Sequence, residues 1–464
     1  MISFEKISKF NFKYELLYHY VWFVHNFIFY KHYKVLHKER IPKDVPVVAI
    51  CNHQNGLSDA LGILFAFAKD GRRPVFIARS DIFRKNLWAK LLRFLKIMPA
   101  FRATDKWAGG DLSENDAVFN ISARVLADEN KVVCLFPEAG HQDCRTLGTF
   151  KKGFARIAFK AAEMTNFEKP IYILPMGNHY SNYFSFQSDL LINIGEPFEF
   201  SDLYPIYKEQ PAKAQRLLAD RARSIVEKLM LNIQDTEYYE QYDMLRGLYE
   251  KELVKRKNQK TSYFPNLFEA DKTIVAAIDK LKEENPQEFD SLMKKTLAYI
   301  RKTEKLHLRD WVFRQKLTFS GTIMRFIVNI ILLPLLIFGF INNFIPFNAS
   351  TLITRKIKDP MLHSSFHFVM GTLFTFPLWY LIIFLVLLFV VGGIFGKWWI
   401  ALTYVASLPI SLILYLRGKI MWIKLYNRIR RFRFVFSGNR TFREAVELRE
   451  EIVKILRKIV KTDN

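Results

Sequence analysis

A histidine and a carboxylate lie six positions apart in the segment AICNHQNGLSDALGIL. His53 follows an apolar run that predicts a buried strand, and Asp59 opens the next predicted helix. Histidine is the side chain best suited to take a proton near neutral pH, and a carboxylate on its far nitrogen fixes the tautomer and stabilises the cation that forms. The pair therefore predicts a general base and its orienting acid. In the structural alternative, Ser58 or Asp59 caps the helix and His53 is an ordinary loop residue.

Two arginines follow the next apolar runs of the same region. Arg79 ends the segment Phe-Ile-Ala-Arg, and Arg102 ends Met-Pro-Ala-Phe-Arg. A guanidinium at the end of a strand offers a planar fork that matches phosphate, so both are candidate phosphate ligands. Taken singly, each is also typical of a surface cation.

Two further segments run from apolar residues into turns that contain proline and glycine. In Phe-Pro-Glu-Ala-Gly, Glu138 could accept hydrogen bonds from substrate hydroxyls, and Gly140 makes a tight turn where the backbone can approach a ligand. The structural alternative for Glu138 is a satisfied turn carboxylate. The segment Ile-Leu-Pro-Met-Gly-Asn-His-Tyr, which begins at Ile173, is most simply structural and shapes a wall of the site.

These four segments lie where strand and helix patterns alternate, between residues 45 and 200. The pattern predicts an α/β fold, a sheet covered by helices on at least one face, with chemistry in the loops past the strand ends. The predicted strands are 45–51, 74–78, 131–136, 171–176 and 190–194, and the predicted helices are 60–68, 81–94, 115–127 and 153–163.

The order of the four segments resembles the glycerolipid acyltransferase superfamily, which is PlsC-like and acylates glycerol-3-phosphate or 1-acylglycerol-3-phosphate. The resemblance covers about residues 40–200 and implies a glycerol-3-phosphate acyltransferase-like sheet. The matching motifs are Asn52-His53 with Asp59, Phe76-Ile77-Ala78-Arg79, Phe136-Pro137-Glu138-x-Gly140 and the block around Pro175.

The sequence departs from the usual family pattern in two places. Five residues rather than four separate His53 from Asp59, which is similar to a subgroup that resembles the fungal glycerol-3-phosphate acyltransferases. In addition, Ala139 replaces a glycine of the usual Phe-Pro-Glu-Gly-Thr-Arg motif, whose Thr-Arg pair is missing. Arg145 or Lys152 would have to supply the missing cation, so the departures affect the acceptor's identity more than acyl transfer itself.

The resemblance implies a direct acyl transfer that needs no metal or other cofactor. His53, oriented by Asp59, would take the proton of a glycerol hydroxyl, and the oxygen would attack the thioester of acyl-CoA or acyl-carrier protein. The acceptor would be glycerol-3-phosphate or 1-acylglycerol-3-phosphate; the alternative is another lysolipid or an amino-acid lipid. The residues that the resemblance assigns to substrate binding are Arg79, Arg102, Glu138, Gly140, Arg145 and Lys152.

The composition shows a large surplus of positive charge. The 464 residues include 69 Lys and Arg against 45 Asp and Glu, a formal net charge of +24, which predicts an anionic partner, either nucleic acid or an acidic membrane surface. A hydrophobic share of 50% excludes a disordered chain. The three cysteines have no Cys-x-x-Cys spacing, so a disulfide framework and a zinc ribbon are both disfavoured.

Apolar residues concentrate in the last third of the chain. Residues 366–395 contain His367 as the only potentially charged side chain, and together with 398–416 they are long enough to cross a bilayer twice. We expect 366–416 to form a membrane hairpin. The less apolar stretch 326–347, which contains Pro334, is expected to enter the membrane and return, or to span it.

Charge placement predicts the orientation of this integral membrane protein. Cations in the loop 355–358 and in residues 417–433 place both segments, and with them the catalytic domain, on the cytoplasmic side by the positive-inside rule. Attraction to anionic lipid headgroups then accounts for the charge surplus without nucleic acid. The expected organisation is an interfacial helical segment at 1–40, a catalytic domain at 41–201, a helical domain at 202–318, a membrane region at 319–417 and a basic amphipathic tail at 418–464.

Two functions of other classes remain as alternatives. One is a metal-dependent hydrolase, although no His-x-x-x-His spacing on a helix supports it. The other is a non-enzymatic lipid-binding membrane protein. The residues that a hydrolase could use are His53, Asp59, His141, Asp143 and Cys144.

Overall fold

The computed structural model describes residues 4–101, 114–138, 140, 144–314, 318–357 and 362–460. The chain divides into two compact units. The first unit contains residues 1–232 and 359–366, and the second contains residues 233–358 and 367–464.

The first unit is built on a seven-stranded sheet in the order β1-β7-β6-β2-β5-β3-β4. All neighbouring strands are parallel except the antiparallel pair β6 and β7. Apolar runs form the central strands because a strand covered on both faces must be apolar throughout, and every residue of β2 is buried. The strands are β1 His32–Leu36, β2 Val47–Cys51, β3 Val75–Arg79, β4 Ile97–Ala100, β5 Val132–Leu135, β6 Tyr172–Tyr180 and β7 Asp189–Ile194.

Helices cover both faces of this sheet. Gly62 of α2 packs against Leu190 on one face, and Leu229 at the end of α7 packs against Gly177 on the other. The α/β fold class is therefore confirmed. The helices of the unit are α1 Phe12–Phe23, α2 Gly56–Ala66, α3 Asn86–Phe94, α4 Glu114–Ala127, α5 Gly153–Met164, α6 Tyr204–Glu209 and α7 Pro211–Leu229.

Each of the five predicted strands overlaps a strand of the sheet, and β1 and β4 are additional. The unit extends beyond the predicted limits of 41 and 201, because β1 pairs with β7 at one end and α7 packs on β6 at the other. The predicted helix at 81–94 is divided into a 3₁₀ turn, Ser80–Phe83, and α3.

The second unit begins with a helical bundle that also includes residues 440–459. The carboxyl-terminal helix α16 packs on α10 through ion pairs such as Lys458 with Glu288 at 2.8 Å, and Arg449 pairs with Asp310 at 2.7 Å. Thus the predicted basic tail is partly neutralised by acidic partners. The helices are α8 Tyr239–Arg256, α9 Phe264–Glu284, α10 Pro286–Lys305, α11 Trp311–Arg314 and α16 Arg440–Ile459.

Three helices of the described chain are long and apolar enough to cross a membrane, which indicates membrane association. They are α13 Leu333–Thr354, α14 Leu362–Phe395 and α15 Trp398–Phe436. The predicted stretch 326–347 is divided between α12, Phe319–Ile331, and α13, because Pro334 lies in the first turn of α13, where a proline lacking an N–H is tolerated.

Two asparagines of α13 form hydrogen bonds with neighbouring helices. The Asn343 carboxamide accepts a hydrogen bond from the Tyr380 hydroxyl at 2.7 Å and donates to the Ser411 hydroxyl at 2.9 Å. The Asn342 side chain accepts from the Tyr404 hydroxyl at 2.9 Å. These protein contacts supply what a lipid environment does not.

Candidate active site

The predicted dyad forms at the carboxyl end of β2. Nδ1 of His53 lies 2.8 Å from Oδ2 of Asp59. Because a carboxylate only accepts, His53 donates through Nδ1, and its Nε2 keeps the lone pair that a base requires. The Asp59 side chain is fully buried, whereas 17% of the His53 side chain is exposed. The carboxylate is thus sealed from water while the imidazole remains accessible.

The start of α2 fixes the carboxylate of this dyad. The backbone N–H groups of Gln54 and Asn55 both donate to Oδ2 of Asp59 at 2.7 Å. Gly56 begins the helix at a φ of +47°, a left-handed conformation that favours glycine, and so accommodates the tight turn between the two dyad residues. Asp59 lies in the first helical turn, where the helix dipole favours negative charge.

The loop after β5 holds the histidine from a second side. The Phe136 ring stacks on the His53 imidazole with their centroids 4.2 Å apart. Glu138 accepts the His53 backbone N–H at 2.8 Å through one oxygen and the Gly148 N–H at 2.7 Å through the other. Burial raises the pKa of Glu138, although these two N–H donors oppose the shift. The contacts match those of a satisfied turn carboxylate that also holds the backbone of His53.

The two arginine candidates within the described chain are in different environments. Arg79 ends β3 at the same edge of the sheet, 47% of its side chain is exposed, and it pairs with Asp81 at 2.5 Å. Arg145 is buried; its Nη2 donates to the Tyr180 carbonyl at 3.1 Å, and its guanidinium lies 5.2 Å from the centre of the Tyr183 ring.

Two of the remaining predicted substrate-binding residues lie within the described chain, and one lies outside it. Lys152 precedes α5, and its ammonium donates to the Ala212 carbonyl at 3.2 Å. Gly140 has open space where a side chain would project. Arg102 lies outside the described residues, as do His141 and Asp143 of the metal alternative. Within the described residues, no three His, Cys, Asp or Glu side chains come together as a metal site.

Two tyrosines near the dyad are absent from the sequence-based candidates. The Tyr180 hydroxyl donates to Oδ1 of Asp59 at 2.6 Å, and the Tyr183 hydroxyl donates to Gln54 at 3.1 Å. Tyr180 is the last residue of β6 and closes the fourth segment, which the sequence analysis interprets as a wall. The sequence signal for Tyr180 is a polar side chain near the end of a predicted strand. Its partner Asp59 lies 121 positions away in the chain, so the local sequence does not reveal the contact.

Comparison with known proteins addresses this region directly. Residues 32–178 match the family model described as Acyltransferase. This part of the chain is similar to acyltransferase domains. The match begins at the first residue of β1, ends within β6 and includes both dyad residues.

One solved structure similar to this chain is the 1-acyl-sn-glycerophosphate (LPA) acyltransferase PlsC from Thermotoga maritima, at 17% identity and a TM-score of 0.29. The similarity covers 48% of this chain and 78% of that one. No curated protein matches the sequence. The family match therefore makes residues 32–178 the part of the chain that is similar to acyl-transfer enzymes.

Proposed function

We propose that this protein is a membrane-bound acyltransferase that moves a fatty acyl group from a thioester donor to a hydroxyl of glycerol-3-phosphate or 1-acylglycerol-3-phosphate. The observation that carries the proposal is the 2.8 Å contact between His53 and Asp59 at the carboxyl edge of the sheet, inside the acyltransferase domain. Apolar helices in the same chain fit a lipid substrate and product.

In the proposed reaction, Nε2 of His53 removes the proton of the acceptor hydroxyl while the oxygen attacks the thioester carbonyl carbon. Asp59 stabilises the imidazolium that forms. The C–S bond of the tetrahedral intermediate then breaks, the new ester forms, and the imidazolium returns its proton to the thiolate. General-base assistance of this kind contributes about 10²- to 10⁴-fold to the rate.

The acceptor's phosphate is proposed to bind at Arg79. This arginine is half-exposed, and its guanidinium would exchange Asp81 for the ligand. The buried Arg145 supports the turn after β6, and Glu138 holds the loop of His53. The burial of Arg145 favours a second candidate function, in which the acceptor is another lysolipid whose headgroup needs fewer cations.

A lipid-product assay by mass spectrometry tests the proposal with glycerol-3-phosphate and lysophosphatidate offered in turn. We expect His53→Ala to lower acyl transfer by about 10²- to 10⁴-fold, because the base is lost. His19→Ala removes an exposed histidine of α1 and serves as the control, with activity unchanged. If the His53→Ala variant forms as much product as the wild type, the proposal is overturned. If the wild type forms no product with either acceptor, the second candidate function replaces the first.

A further inference from the structure

The end of β6 and the turn that follows it contact the segment from His53 to Asp59 at three points. Tyr180 donates to Asp59 at 2.6 Å, the Tyr183 hydroxyl donates to Gln54 at 3.1 Å, and the Asn55 carboxamide donates to the Tyr183 carbonyl at 2.9 Å. All five side chains are buried. This turn therefore holds the loop between His53 and Asp59 along its length.

The two carboxylate oxygens of Asp59 have separate partners. Oδ2 accepts from His53 Nδ1 and from two backbone N–H groups, and Oδ1 accepts from the Tyr180 hydroxyl. A carboxylate held at both oxygens cannot rotate about its terminal bond without losing a hydrogen bond. Its orientation toward the imidazole is fixed before a substrate arrives.

We propose that Tyr180 is a positioning residue for the catalytic base. Its hydroxyl holds the Asp59 carboxylate toward His53 and reduces the negative charge on Oδ2, the oxygen that faces the imidazole. The inference rests on the proposed function, since it assigns a role relative to the same dyad. Tyr180 lies beyond the end of the region that matches the acyltransferase family model.

The chemistry of the surroundings keeps Tyr180 a hydrogen-bond donor. Burial raises the pKa of its hydroxyl well above the usual value, and the nearby Asp59 charge adds to the rise. Within the described residues, the other titratable groups beside the dyad include Glu138, Cys51 and Tyr30. Burial raises the pKa values of these three groups as well, so the tyrosine and the thiol stay neutral through the working pH range.

The test is the pH dependence of acyl transfer by Tyr180→Phe. We expect kcat to fall by about 10- to 100-fold, the effect of one hydrogen bond to a charged group, with little change in the KM of the acceptor. Without the hydroxyl, more negative charge remains on the imidazole side of Asp59 and stabilises the imidazolium. The acid limb of the pH profile should therefore move to higher pH.

Tyr207→Phe is the matched control, because this buried hydroxyl also donates to a carboxylate, Glu163 at 3.1 Å, away from the dyad. Its kcat and pH profile should equal those of the wild type. If Tyr180→Phe fails to fold, the same test is made with difluorotyrosine at position 180. Its hydroxyl is a stronger donor and withdraws more charge from Asp59, so the acid limb should move to lower pH.

The outcomes separate this inference from the proposed function. If His53→Ala is inactive and Tyr180→Phe keeps the wild-type rate and pH profile, the positioning role is overturned alone. A lowered rate with an unshifted acid limb has the same meaning, because a merely structural loss would not move that limb. If His53→Ala is active, the proposed function itself is overturned.

Discussion

Asp59 combines two roles that the sequence presents as alternatives. Its carboxylate accepts the N–H groups that precede α2, as a helix-terminal acid does, and the same oxygen orients His53. A charged acceptor of three N–H donors is strongly held, because hydrogen bonds to ionised groups are the stronger ones. The structural role and the proposed catalytic role thus depend on one geometry.

Glu138 gives a prediction that separates a positioning role from substrate binding. Glutamine at this position keeps one carbonyl oxygen but turns an amide donor toward one of the two N–H groups that Glu138 now accepts. We expect Glu138→Gln to lower kcat about tenfold or more, the effect of a buried donor left unsatisfied, with the acceptor's KM nearly constant. Steady-state kinetics with varied acceptor measures both.

Glu209→Gln supplies the control for this substitution, since Glu209 is exposed in α6. A rise in the acceptor's KM with kcat unchanged would instead mean that Glu138 binds the substrate hydroxyls, as the resemblance implies.

At the level of elements, apolar runs were sufficient to locate the covered strands. β2 and β5 are apolar at every position and were predicted from this pattern. β1 has the sequence His-Tyr-Lys-Val-Leu and is only half-buried at the edge of the sheet, and β4 has four residues and a proline. Both are stabilised by pairing with a neighbour, β7 or β3, that the local sequence does not specify.

The site residues divide in the same way: contacts within one short segment were predictable, and contacts between distant segments were not. The pairing of His53 with Asp59 was predictable because both belong to one short segment. The contacts of Tyr180 and Arg145 were not, since they depend on how the turn after β6 packs on the loop after β2. The predicted role of Arg145 as a cation for phosphate requires exposure, a property set by tertiary packing rather than by local sequence.

A substitution at Gly177 tests how closely α7 packs on β6, the strand that ends at Tyr180. A Cβ at this residue would lie 2.5 Å from the backbone oxygen of Leu229 at the end of α7. We expect Gly177→Ala to lower the free energy of unfolding by about 1–3 kcal/mol, because the backbone of α7 would have to move. Thermal unfolding of the purified enzyme measures this change.

Gly153→Ala is the companion variant, because Gly153 begins α5 and has open space where a Cβ would project. Its stability should equal or slightly exceed that of the wild type, by up to about 1 kcal/mol, since alanine favours a helix. Equal stability of both variants would contradict the close packing of α7 on β6.

At the scale of the whole molecule, the packing of α16 constrains how the chain crosses a membrane. α16 lies on α10 and pairs Lys458 with Glu288, and charged surfaces of this kind lie in water. We therefore expect the chain on both sides of the apolar region to lie on one side of the bilayer, with an even number of crossings between them. Three crossings by α13, α14 and α15 are incompatible with this packing.

We expect α14 and α15 to cross and α13 to return to the side from which it entered. α12 has 13 residues, about 20 Å of helix, which is too short for a hydrocarbon core of about 30 Å. α13 is the least apolar of the three long helices, and its Asn342 and Asn343 are bonded to other helices. None of the side chains in the most apolar part of α14 is buried by protein, as expected for a helix surrounded by lipid.

Cysteine labelling in sealed vesicles tests this arrangement with single cysteines at positions 356, 397 and 437. Cys144→Ser provides the background, because the other two native cysteines, Cys51 and Cys134, are buried. We expect a membrane-impermeant maleimide to label positions 356 and 437 from one side and position 397 from the other, because only α14 and α15 cross.

Labelling of positions 356 and 397 on opposite sides, with 397 and 437 together, would instead mean that α13 crosses and α15 does not. Labelling of 356 and 437 on the side opposite to a cysteine introduced at position 259, between α8 and α9, would contradict the even number of crossings.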